Sequence, residues 1–155
     1  MKQGFLRTAS FLAWILSFLL IVWFLWRSLG VVSLAAARIY LNATAMQWQI
    51  GKQGIFAQEM WMIVAGIGAV AAMYFIEAYL RHGAQKGDLW RRAAVVFSIQ
   101  LFLLFVVDSL TVWLGGYGLS WLNAGALLLE LALAFLLLAY ARRGWPFRSH
   151  RANSV

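Results

Sequence analysis

Residues 93–140 read AAVVFSIQLFLLFVVDSLTVWLGGYGLSWLNAGALLLELALAFLLLAY, and this stretch decides the fold. Two apolar segments flank the turn Gly115-Gly116-Tyr117-Gly118. Each is long enough to cross a bilayer core, which takes about 20 apolar residues. So short a turn makes the pair an antiparallel hairpin. The first segment carries Asp108 and the second Glu130. Acids are costly in hydrocarbon, so each needs a reason to be there.

The rest of the chain has the same character. Of 155 residues, 64% are hydrophobic and 12% charged, and the mean hydropathy is +0.78. Soluble domains carry about 25% charged residues. Four long apolar blocks, at about 8–26, 60–80, 93–114 and 119–140, use most of the length and leave no room for a soluble domain. The reading is an all-α membrane protein: a single domain of four transmembrane helices over 1–141, followed by a basic tail, 142–155. With no cysteine, disulfides, thiolate metal sites and thiol catalysis are excluded.

The net charge of +8 does not point to nucleic acid, because the positive residues flank the apolar blocks. The N-terminus, the loop 81–92 and the tail together hold ten of the thirteen Lys and Arg residues. Only Arg27, Arg38 and Lys52 fall on the other side. The positive-inside rule then puts both termini in the cytoplasm. Small size and compact loops suggest a bacterial inner membrane, and the sequon Asn42-Ala43-Thr44 carries little weight.

The first block begins basic and then apolar, as a secretory signal does. It is longer than the 7–15 residues of a signal core and rich in bulky aromatics, so it reads as an uncleaved span. Between the first two spans lies the long segment Leu29–Glu59. Val32, Ala36, Ile39, Ala43, Met46 and Ile50 recur there at helical spacing. This fits a partly helical, amphipathic outer segment on the membrane surface. It fits equally a first helix that continues beyond the bilayer. Gly51 and Gly54 are expected breakers before the second span.

In the second span Ala65, Gly68 and Ala72 form one small-residue face, which allows close helix approach. Glu77 and Arg81, at i and i+4, are expected to form a boundary ion pair. Asp88 is the expected cap of the third helix.

In the third span Gln100 and Thr111 fall on the same broad side as Asp108, and in the fourth Asn123 shares a face with Glu130. An antiparallel hairpin brings Asp108 and Glu130 to similar depth, where they can face each other. No Lys or Arg lies inside the four spans as drawn, which favours a shared proton or two neutral acids. Such a pair suits a proton relay, a cation site or a contact to another subunit. It equally suits hydrogen bonds to Gln100, Asn123 or Thr111 that lock the packing.

His82 and His150 are the only histidines and neither lies in a span, so no haem, metal or other cofactor is expected. Ser109 beside Asp108 has no base at its depth, and no catalytic set emerges. Most of the nine tryptophans sit near span ends, as interfacial rings do. The leading expectation is an accessory or scaffold subunit of a larger inner-membrane complex, with membrane lipids and other membrane subunits as partners. A small proton- or ion-coupled transporter using Asp108 and Glu130 is the alternative. A lipid-acting enzyme with the same two acids as general acid and base is the second alternative.

Overall fold

The computed structural model describes residues 2–41, 47–116 and 120–143, with side chains of 2–3, 39–41 and 47–53 outside that description. Four helices occupy these residues: α1 (Lys2–Leu41), α2 (Gln47–Lys86), α3 (Leu89–Gly115) and α4 (Trp121–Arg143). All four are long and apolar enough to cross a membrane. The apolar residues run around every side of each helix rather than along one stripe, which is what a helix solvated by lipid requires.

Two helices are longer than the expected spans. At about 1.5 Å per residue, the 40-residue α1 and α2 each extend about 60 Å, against a hydrocarbon core of about 30 Å. α1 passes through Leu29–Leu41 without interruption, so the segment after the first span is helical continuation on its near side. α2 likewise runs through Gly51 and Gly54, which therefore break nothing. Glycine inside a helix costs only about 1 kcal/mol against Ala, too little to stop a strongly apolar helix. The sequon at Asn42, the Trp48 side chain, Tyr117-Gly118 and the tail beyond Arg143, with His150, lie outside the described residues.

α3 is the hub. It packs against α1, α2 and α4, whereas α4 packs mainly on α3. Within its most apolar window 39% of α3 is buried, against 6% for α2 and 11% for α4. The hydrogen bonds give the directions. Ser17–Gln100 and Arg27–Asp108 hold a nearly constant offset, so α1 and α3 run parallel. Ser28–Trp61 and Ser33–Gln58 move in opposite senses, so α1 and α2 are antiparallel. Ser98 bonds the Ala134 carbonyl and Arg91 the Ala141 carbonyl, which makes α3 and α4 antiparallel. At the end where α2 turns into α3, Ala9, Ala13, Leu80, Leu89 and Ala93 form a small apolar core.

The turns follow from local chemistry. α2 ends in a Schellman motif: Gly87 takes φ +76°, and the Asp88 N–H reaches back to the Gly83 carbonyl at 2.9 Å. Asp88 precedes α3, but its side chain makes no capping bond, so the expected cap is not formed. Its backbone N–H is committed to closing α2. Gly116 ends α3 at φ 64°. Ser120 caps α4, accepting the Asn123 N–H on Oγ at 3.2 Å.

Arginines donate to backbone carbonyls on neighbouring helices. Arg38 Nη2 donates to Trp113 O (3.2 Å) and Arg91 Nε to Ala141 O (2.8 Å). Arg92 Nη1 donates to Tyr79 O (3.1 Å), with its guanidinium carbon 4.6 Å from the Tyr79 ring centre. Trp113 and Ala141 lie in the last turns of α3 and α4, whose final carbonyls have no partner within the helix and carry its negative end, so a cation there gains twice.

Candidate functional site

A charged cluster lies inside the bundle where α1, α3 and α4 meet. Arg27 Nε donates to Asp108 Oδ1 at 2.7 Å, the single salt bridge among the described residues. The Asp108 side chain is 15% exposed and that of Arg27 38%. Glu130 of α4 stands beside Asp108, within reach of a side-chain hydrogen bond, and interacts electrostatically with both Asp108 and Arg27. Its Oε2 is buried and has no hydrogen-bond partner.

The expectation that no base neutralises the two acids is therefore corrected. A first span drawn as 8–26 placed Arg27 outside the membrane, yet α1 continues well past it through a further apolar run, Leu29–Ala37. That run after a single arginine was the available signal. Chemically, one guanidinium against two carboxyls leaves the cluster neutral when the acids hold one proton between them.

Two helical turns from the ion pair, a second polar contact joins the same helices. Gln100 Nε2 donates to Ser17 Oγ at 2.6 Å and to the Ser17 carbonyl at 3.2 Å, both buried. Gln100 Oε1 has no partner. Gln100 thus serves the α1–α3 interface rather than Asp108. Thr111 turns inward to its own helix, donating to Val107 O at 2.9 Å. The Asn123 side chain is exposed, about two turns from Glu130, and takes no part in the cluster. The α1–α2 interface has polar contacts of its own, with Trp61 Nε1 donating to Ser28 Oγ at 3.1 Å and Gln58 Nε2 to Ser33 Oγ at 2.8 Å. A lone serine in an apolar block is too common to have marked Ser17 or Ser28 in advance.

The other residues singled out lie elsewhere. Ala65 and Ala72 are half-buried and Gly68 is exposed. A Cβ built on Gly68 meets nothing within 4 Å, so the chain's own helices leave that position open. Glu77 and Arg81 both line a cavity at the opposite end of the bundle, and no salt bridge joins them.

Beside the cluster, α1 and α4 stand apart over α3 and leave an apolar groove of about 880 Å³, lined by Leu20, Trp23, Leu101 and Leu137 among others. Asp108 lies two helical turns beyond Leu101, and Glu130 two turns from Leu137 on the same face of α4. The charged cluster therefore lies in line with one end of the groove. Among the described residues no three His, Asp or Glu side chains gather closely enough to hold a metal ion. Comparisons with family models, curated proteins and solved structures gave no match.

Proposed function

We propose that the chain is an accessory or scaffold subunit of a larger assembly in a bacterial inner membrane, with both termini in the cytoplasm and helix–helix contacts as its means of action. The observation that carries this reading is the open small-residue face of α2. Gly68, between the half-buried Ala65 and Ala72, leaves room for a helix backbone to approach, and none of the chain's own helices occupies that position. The Arg27–Asp108–Glu130 cluster supports the same reading as an internal lock that fixes α1 and α4 on α3. Purification in mild detergent from the native membrane, with mass spectrometry of what accompanies the chain, tests it. Stoichiometric partners that are lost in Gly68→Leu support the subunit; a clean monomer overturns it.

One observation favours a second reading, proton or ion coupling through Asp108 and Glu130. Glu130 has a buried oxygen without a partner beside a charged pair, an arrangement found where protons are passed in membranes. Proton flux in proteoliposomes, present in the native chain and absent in Glu130→Gln, decides for it.

A further inference from the structure

At the basic end of the bundle, a cavity of about 630 Å³ opens between the start of α1 and the end of α2. Its polar lining is Arg7, Ser10, Trp14, Glu77, Arg81 and Gln85. We propose that this cavity binds the phosphodiester headgroup of an anionic phospholipid.

Charge gives the first argument. Two guanidiniums and one carboxylate leave the lining at net +1, which matches a phosphodiester of charge −1. Arg27, Arg38, Arg91 and Arg92 are each committed to a carboxylate or a backbone carbonyl. Arg7 and Arg81 stand at one cavity and make no such bond within the described residues.

Hydrogen bonding gives the second. Trp14 lines the cavity, and its indole N–H is buried with no acceptor. That N–H is closed off from the cavity's open space, and the neutral donors a ligand meets there are the Ser10 hydroxyl and the Gln85 amide. A phosphate oxygen accepts from either, beside the two guanidiniums.

The third argument is the mixed character of the walls. Leu6 and Phe11 supply an apolar side next to the guanidiniums. Phe11 is exposed and sits one turn from Trp14, with ring centres 6.0 Å apart. A free anion has no use for such a wall, whereas a lipid brings glycerol and acyl carbons attached to its phosphate.

The test uses the full chain in mild detergent, with native mass spectrometry in an equimolar mixture of phosphatidylglycerol and phosphatidylcholine. Phosphatidylglycerol is expected to be retained about tenfold over phosphatidylcholine. Arg7→Gln with Arg81→Gln should bring that ratio to near one. Arg142→Gln with Arg143→Gln removes as much charge at the same end, outside the cavity, and should leave the ratio unchanged. Glu77→Gln should raise it, a gain that misfolding cannot produce. The site is overturned if the native chain shows no preference, or if the Arg142/Arg143 variant loses it equally. Displacement by millimolar inorganic phosphate assigns the cavity to a free anion and overturns the lipid.

Discussion

Arg27 and Asp108 stand 81 residues apart in sequence and 2.7 Å apart in space. They tie the first helix to the third in parallel, a pairing that no loop enforces. With Glu130 alongside, the pair has a spare acid, and this makes the energetics non-additive.

Asp108→Asn alone leaves Arg27 near Glu130, which can take over as counter-charge, so the expected cost is about 1 kcal/mol. Glu130→Gln alone leaves the ion pair intact and should cost no more. The double variant strands the guanidinium, and breaking a buried pair in this way costs about 3–5 kcal/mol. The partial exposure of Arg27 places the expectation toward the lower end. Unfolding in mixed detergent micelles measures all three, and additivity of the two singles would refute the shared arrangement.

Gln100→Leu removes both bonds to Ser17 and replaces a polar contact with an apolar one of similar size. Interhelical hydrogen bonds within membranes average about 0.6 kcal/mol. Gln100 also carries a buried unsatisfied oxygen, so the substitution is expected to be neutral within about 0.5 kcal/mol. Ser17→Ala leaves Gln100 with only the carbonyl as acceptor and should cost more, about 1 kcal/mol. The order of the two unfolding midpoints is the readout.

The α2–α3 turn should be intolerant at two glycines for different reasons. Gly87→Ala forces a side chain into left-handed backbone, costing about 1–2 kcal/mol. Gly83→Ala places a methyl 2.5 Å from Arg92 Cδ and 3.3 Å from the Leu89 backbone. Arg92 must leave the Tyr79 carbonyl and ring, at about 1–3 kcal/mol for the combined overpacking. Shortening Arg92 as well, in Gly83→Ala with Arg92→Ala, should recover part of that loss. Thermal unfolding of the three variants distinguishes strain from crowding.

Gly68→Leu points into open space and should leave the isolated chain within about 0.5 kcal/mol of native. Its effect belongs to association. Co-purification of any stoichiometric partner is expected to fall severalfold, while the detergent-solubilised chain keeps its native midpoint.

Much of the architecture was legible from hydropathy, because lipid-facing helices must be apolar on all sides and that signal is strong. The hairpin around Gly115–Gly116 and the closeness of Asp108 to Glu130 both follow from the shortness of one turn. Helix ends were less legible. An arginine looks like a boundary in a window of hydropathy, and Arg27 gives no local sign that Asp108 waits on another helix. The same holds for Ser17 and Gln100, whose pairing depends on the parallel register of α1 and α3. Gly51 and Gly54 misled in the opposite direction, since propensity is weak where a long apolar helix has lipid or neighbours to pack against.

The separation between Arg27 and Asp108 also has a consequence for how the molecule is made. At roughly 5–20 residues per second, synthesis leaves about 4–16 s between the appearance of the arginine and of its acid. During that interval an arginine at mid-membrane costs about 2.5–3.5 kcal/mol. The nascent first helix is expected to rest with Arg27 near the headgroups until the third helix delivers the counter-charge. Insertion is then expected in two steps, and a ribosome stalled before Asp108 should hold α1 in the shallower position.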